Sequence, residues 1–345
     1  MAAERAAAST IKIGVIGCGY WGPNLIRNFV EAEGCAVVSV CDLNLARLAA
    51  MKARYPTIEP STDYREVIDD PAVDAVVIAT PVSTHHALAR EALLAGKHVW
   101  VEKPMTLTSA EAEELIDLAA CKNATLMVDH TFVYTGAVQK MKELVASGDL
   151  GHIYYYDSVR VNLGLFQHDV NVVWDLAPHD ISIMTYLLDA APLGVSAVGA
   201  CHVGNGAENI AYVTIHFPDN LIAHFHVNWL APVKVRQTLI GGSRKMILYD
   251  DLEPSEKVKV YDRGVKVGEN SGEKRYQTLV AYRTGDMYAP HLDHTEALRF
   301  ATSHFLECIA TGRCPITNGE AGLQTIRILE AADRCLKRGA RWEVL

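Results

Sequence analysis

Along the first 130 residues the apolar positions fall into short, nearly unbroken runs separated by stretches with helical spacing. Runs at 11–16, 37–41, 73–79, 98–101 and 125–128 predict buried strands. Between them, 23–33, 43–54, 84–95 and 109–121 predict helices; in the first, Leu25, Ile26, Phe29 and Val30 share one face. Apolar strands alternating with helices of about 10–15 residues predict a parallel sheet covered on both faces, and right-handed crossovers make it doubly wound.

From residue 131 the pattern changes. A helical stretch at 136–147 precedes an alternating strand at 153–162 and an apolar helix at 172–188. Alternating runs follow at 194–203, 210–217, 222–229, 234–241, 245–249 and 257–261, divided by turns such as Pro218-Asp219-Asn220. This predicts an open, mostly antiparallel sheet with helix 172–188 on one face. Two helices, near 294–311 and 319–338, close the chain. The expected organisation is a disordered leader at 1–10, an α/β domain at 11–130, and an α+β domain at 131–345 whose final helices pack back on the first domain.

Composition narrows the setting. Over 345 residues, 32 Lys and Arg against 41 Asp and Glu leave a net charge of −9, which speaks against nucleic acid or an anionic membrane as partner. The eight cysteines are scattered without a CxxC pair, as expected in a reducing cytoplasm. No apolar run approaches the ~18 residues of a membrane helix, and the Ala-rich start lacks the core of a secretory signal. The expectation is a soluble cytoplasmic protein.

Gly17-Cys18-Gly19-Tyr20-Trp21-Gly22 is a GxGxxG motif that leaves a buried strand and opens a helix, and Asp42 ends the next strand 20 residues later. Gly17 permits the tight turn, Gly19 lets the backbone approach a pyrophosphate, and Gly22 allows close helix–strand packing, while the helix start offers N–H groups and a positive dipole to phosphates. Tyr20 and Trp21, inside the motif, are counted with the cofactor contacts. Asp42 is suited to bind ribose hydroxyls and repel a 2′-phosphate, or else to cap the helix that follows. The nearest basic residue is Arg47, one turn on, so NAD is favoured over NADP. Thr80, Pro81, Thr84 and His85 stand at the carboxyl end of the 73–79 strand, where an open α/β sheet places its ligands. His85 and His86, adjacent on a helix, diverge by about 100° and are not read as a metal site.

Glu102-Lys103-Pro104 ends another strand at the same edge. A partly desolvated lysine there suits proton relay, though a solvated strand-end lysine is the simpler reading. In Trp174-Asp175-Leu176-Ala177-Pro178-His179-Asp180, Asp175 and His179 lie four apart and share a helix face. An imidazole beside a carboxylate is a general base fit to take an alcohol proton as hydride leaves for a nicotinamide; the alternative is an Asp/His pair that merely solvates a helix.

Taken together, GxGxxG, Asp42, Ala79-Thr80-Pro81, Glu102-Lys103-Pro104 and Asp175-x-x-x-His179 resemble the glucose–fructose oxidoreductase/inositol dehydrogenase/MocA (Gfo/Idh/MocA) family over nearly the whole chain. The resemblance implies a Rossmann domain, an open substrate sheet, and NAD(P)-dependent oxidation or reduction of sugars or cyclitols. It also implies Lys103 and His179 as the acid–base pair, Asp175 as their neighbour, and Glu102 near the nicotinamide ribose. Residues 169–174 lack the glycine-rich approach of many relatives, and Pro178 is expected inside the first helical turn. The stretch at 162–169 resembles members that oxidise the 3-hydroxyl of a UDP-amino sugar. Candidate substrate contacts are Arg160, for a phosphate, with Asn162, Gln167, His168 and Asn171. His224 and His226 are read as exposed-face histidines rather than metal ligands, and Trp229 as a packing residue. No metal is expected, and apolar residues on both alternations of 210–217 and 222–229 predict a homo-oligomer formed through the second sheet. Keto-sugar reduction, transient oxidation on retained NAD, and nucleotide sensing without turnover are the alternative functions.

Overall fold

The computed structural model describes residues 10–164, 170–204, 206–267, 280–339 and 342–345. The chain forms two compact units, one running to Tyr134 and including Thr295–Arg327, the other Thr135–His294 with Ile328–Leu345.

The first unit opens with β1 (Ile11–Ile16), α1 (Gly22–Glu31), β2 (Cys35–Cys41), α2 (Leu45–Arg54), β3 (Glu59–Ser61) and α3 (Tyr64–Ile68). It continues through β4 (Ala75–Ile78), α4 (His85–Leu94), β5 (His98–Glu102), α5 (Ser109–Lys122) and β6 (Leu126–Asp129). All six strands are parallel, in the order β3-β2-β1-β4-β5-β6. The order reverses between β1 and β4, which creates the crevice where such sheets bind ligands. β4 and β6 are buried along their whole length, as strands covered on both faces must be. α5 starts at Thr108 with a reciprocal capping box to Glu111. The predicted strands and helices of this unit are all present. β3 and α3 were not anticipated, because three- and five-residue elements are too short to carry a period.

The second unit contributes α6 (Gly136–Ala146), β7 (Ile153–Leu163), α7 (Val172–Leu187), β8 (Gly194–Ala200), β9 (Ile210–His216), β10 (Ile222–Asn228), β11 (Leu230–Gly242), β12 (Met246–Asp250) and β13 (Val258–Tyr261). Short strands β14 (Gly264–Val267), β15 (Val280–Arg283) and β16 (Met287–Tyr288) follow, then α8 (Ala297–Thr311), α9 (Gly319–Arg338) and β17 (Glu343–Val344). The large sheet runs β16-β13-β12-β11-β7-β10-β9-β8-β17. It is antiparallel except where β10 lies parallel to β7. This α/β plus mostly antiparallel architecture is the predicted class. Alternation decides the faces: Ala223, Phe225 and Val227 of β10 are buried, and α7 packs against β7, β9 and β10.

α8 belongs with the first unit, where Phe305 meets Trp100 and Phe29 edge to face at 5.5 and 6.2 Å. Pro178 is a correction. α7 begins at Val172, so the proline sits in the second turn and has no N–H to offer the carbonyl of Trp174.

Candidate active site

The glycine loop between β1 and α1 uses each glycine for a different reason. Gly17 has φ +104°, and a Cβ there would lie 2.4 Å from the carbonyl oxygen of Ala79. A Cβ on Gly22 would lie 2.2 Å from the carbonyl oxygen of Gly17, so the first turn of α1 presses on the loop. Around Gly19 the nearest atom would be an Arg47 guanidinium nitrogen at 3.9 Å. Its missing side chain therefore leaves an open cradle rather than relieving a protein contact. Trp21, the N-cap of α1, makes no side-chain cap hydrogen bond, and a proline occupies the first turn. An open cradle beside a helix start without a side-chain cap fits the pyrophosphate of a dinucleotide.

Asp42 joins this loop directly. Its Oδ2 accepts the backbone N–H of Cys18 at 2.7 Å and its Oδ1 that of Asn44 at 2.8 Å. The cap of α2 comes from Asn44 rather than Asp42: the Asn44 Oδ1 accepts from Ala46 and Arg47. Arg47 nevertheless reaches back to within 3.6 Å of Asp42 Oδ2, although half of its side chain is exposed. Asp42 thus places a negative charge beside the glycine loop and holds a cation next to it. Asp42→Ala removes the repulsion of a 2′-phosphate and releases Arg47. The NADP:NAD affinity ratio should rise about 10–100-fold, since a like-charge juxtaposition costs several kcal/mol. Parallel titrations of both cofactors check this, and an unchanged ratio removes Asp42 from the discrimination.

Beyond the tip of β4 the hydroxyls of Thr80 and Thr84 lie 2.7 Å apart, and Thr84 also donates to the carbonyl of Pro81. His85 is a correction. It is 1% exposed, with its ring nitrogens 2.9 Å from the carbonyl oxygens of Pro104 and Thr80. Burial pushes its pKa down, ahead of the carbonyls that favour the charged form. It is therefore a clamp between two strand tips, not a surface offered to a ligand. The Lys103–Pro104 peptide bond, just before the carbonyl it grips, is cis. Lys103 follows β5 immediately, and its backbone N–H donates to Glu102 Oε2 at 3.3 Å. His130, just beyond β6, is buried, and neither ring nitrogen has a hydrogen-bond partner among the described residues. Burial drives its pKa down to about 3, so it stays neutral.

In the second unit α7 carries Asp175 in its first turn and His179 one turn later, on the same face. Asp175 Oδ2 accepts the indole N–H of the buried Trp229 at 3.0 Å. Trp229, read from sequence as a packing residue, thus also holds the carboxylate. Gly164 makes room for it: a Cβ there would strike the indole at 2.6 Å and lie 3.4 Å from the Asn162 amide nitrogen. Asp175 and Trp229 are therefore one group, with Asn162 on the other side of Gly164.

Two expected substrate contacts are overturned. Arg160 is buried and paired twice with Asp180, at 2.7 and 2.9 Å; its guanidinium is spent on α7 rather than on a phosphate. Asn171 is the N-cap of α7, accepting from Val173 and Trp174 and donating to Glu208 and Asp333. Gln167 and His168 lie outside the described residues. His224 and His226 sit on the outer sheet face, and His226 stacks on Tyr212 with centroids 4.5 Å apart. Among the described residues no group of three or more His, Cys, Asp or Glu could hold a metal ion, and no helix is long and apolar enough to cross a membrane.

Comparison with known proteins agrees with this geometry. Residues 11–130 match the model of an oxidoreductase family with an NAD-binding Rossmann fold (GFO/IDH/MocA). Residues 138–248 match a GFO/IDH/MocA C-terminal domain. A UDP-N-acetylglucosamine 3-dehydrogenase of Acidithiobacillus ferrooxidans is 28% identical over 327 residues, 93% of this chain and 95% of that protein. A solved structure of that enzyme superposes with a TM-score of 0.79 at 26% identity, covering 95% of this chain and 98% of the other. A myo-inositol 2-dehydrogenase of Thermotoga maritima is 25% identical over 96% of this chain and 99% of its own length.

Proposed function

The chain belongs to the Gfo/Idh/MocA family of NAD-binding oxidoreductases, and on that premise we propose that it oxidises the 3-hydroxyl of a UDP-type nucleotide sugar to a keto-sugar. The observation that carries this reading is the placement of Asp175 and His179 on one face of α7, with Asp175 held by Trp229, in a chain similar over 93% of its length to a UDP-N-acetylglucosamine 3-dehydrogenase.

The open cradle at Gly19, the start of α1 and Asp42 hold NAD, in preference to NADP. When bound, NAD supplies the acceptor for the hydride that leaves the carbinol carbon. His179 takes the hydroxyl proton as general base, and Asp175 fixes the tautomer and orientation of its ring. Lys103 donates a hydrogen bond to the same oxygen, stabilising the negative charge that grows there as His179 takes the proton. Asn162, next to Trp229, contacts the sugar. Run backwards, these residues reduce a keto-sugar.

Screening UDP-, dTDP- and free sugars and cyclitols for NADH absorbance tests the reading. Stoichiometric NADH with UDP-N-acetylglucosamine or a close relative is the expected result. NADH only with free sugars or cyclitols discards the nucleotide-sugar substrate. Cofactor binding without NADH from any alcohol discards dehydrogenation.

The outer face of the large sheet exposes Val198, Tyr212 and Ile222 beside His224 and His226. Self-association through that face is part of the proposal. Light scattering should give a dimer or larger that Tyr212→Glu dissociates, because the new charge would lie in an apolar contact. A wild-type monomer rejects it.

A further inference from the structure

Glu102 and Asp129 are register partners at the ends of the adjacent parallel strands β5 and β6. Asp129 is well supplied with donors: the Thr131 hydroxyl reaches its Oδ1 at 2.6 Å and the Trp21 indole N–H its Oδ2 at 3.3 Å. Glu102 is not. Its Oε2 takes the N–H of Lys103, while its Oε1 is buried and meets no donor among the described residues. As register partners on parallel strands the two side chains lie on one face at neighbouring strand ends, where two carboxylates would stand side by side, each acceptor-only. A proton between them turns the orphaned acceptor into a donor.

We propose that Asp129 is a positioning residue of the cofactor site: it and Glu102 hold one proton in common, with Glu102 the neutral acid and Asp129 the anion that anchors Trp21 of the glycine loop. The part of this inference that concerns Lys103 rests on the proposed function, because it assumes that the β5 tip belongs to the reacting centre; the shared proton does not.

The surroundings agree. Burial, then the charge of Asp129, push Glu102 well above the usual carboxylate range. Burial also raises Asp129, against its donors Thr131 and Trp21 and the charge of Lys103, and those donors favour Asp129 over Glu102 as the ionised partner. Of the other titratable groups nearby, Lys103 supplies a positive charge felt by both carboxyls. Burial holds His130 neutral, pushes His85 down against the carbonyls that favour its charged form, and raises the Tyr134 phenol. The Lys103 cation then faces one anion. A second carboxylate would leave a net negative charge in a buried corner, where charges need partners. The arrangement also ties the loop after β1 to the end of β6 through the Trp21 indole, so the proton state of the pair bears on how firmly that loop is held.

Infrared spectroscopy of the full chain, without cofactor or substrate, tests the proton itself. A carbonyl stretch of a protonated carboxyl group should be present at neutral pH and absent from Glu102→Gln. In Asp129→Asn, where burial still disfavours the Glu102 charge but the anionic partner is gone, the band should persist at a shifted frequency. A wild type without the band, or a band that survives Glu102→Gln, overturns the shared proton. A band left unshifted in Asp129→Asn overturns the role of Asp129. NADH titration is the second readout: losing the charged acceptor of Trp21 should weaken binding about tenfold in Asp129→Asn, and unchanged affinity rejects the anchoring role. Should Asp129→Asn fail to fold, the wild-type band and its loss in Glu102→Gln still decide the shared proton. Neither measurement needs turnover, so failure of the dehydrogenase reading and failure of this one are told apart.

Discussion

Lys103→Met should lower turnover by about 10²–10⁴, the range of a general acid–base contribution, while NADH affinity stays within a few-fold of wild type. Methionine keeps the length and the apolar stem and removes only the ammonium. The strand tip is held independently of that charge: His85 grips the carbonyls of Thr80 and Pro104, and Glu102 accepts the Lys103 backbone N–H. The glycine cradle and Asp42 lie elsewhere in the same unit, and the Asp129 carboxylate that holds Trp21 keeps its Thr131 and Trp21 donors without the ammonium. The loss should therefore fall on kcat and on kcat/KM alike, the mark of an interaction made in the transition state. Steady-state kinetics with the best nucleotide sugar, alongside NADH titration, check it. Near-wild-type turnover takes Lys103 out of the chemistry, and a lost NADH affinity with normal kcat reassigns it to cofactor binding.

Asp180→Ala should destabilise the second unit by about 3–5 kcal/mol, the usual cost of removing one member of a buried ion pair. Arg160 on β7 and Asp180 on α7 are paired through two bonds, with side chains 4% and 6% exposed, and the Tyr156 hydroxyl donates to the Asp180 backbone carbonyl. The alanine variant strips the guanidinium of its carboxylate in a region where water cannot replace it. Replacing both members by apolar residues, as in Arg160→Met with Asp180→Leu, should restore most of the loss, because the desolvation penalty leaves with the charges. Urea denaturation of the two variants measures this. Equal loss in both would mean that packing rather than charge holds α7 to β7. His179 precedes Asp180, so the single variant should also depress kcat.

The cofactor half of the site was legible because its chemistry is local. β1 at Ile11–Ile16, the glycine loop and Asp42 lie within one β-α-β unit, and the reasons for Gly17 and Gly22 are steric facts about neighbours close in the chain or at the next strand tip. The DxxxH face of α7 was legible for the same reason, since helical spacing alone aligns Asp175 with His179. Arg160 was not. Alternation put it on a strand face with Asn162, but period-two patterning cannot say that a carboxylate from a helix 20 residues later will meet it there. Asn171 was misread because a side chain that caps a helix and one that binds a sugar use the same amide. Trp229 and Asp129 escaped for want of a sequence neighbour: their partners are 54 and 108 residues away. Asp129 had one usable signal, an acid closing a buried strand as Asp42 does.

Trp21 and Trp229 each donate an indole N–H to a carboxylate, one in each compact unit. With Trp100, Trp174 and Trp342 replaced, the chain would carry two intrinsic fluorophores whose emission reports on separate events. Quenching at Trp21 would follow dinucleotide arrival, and a change at Trp229 would follow the sugar, so stopped-flow fluorescence could time the order of binding without any added dye.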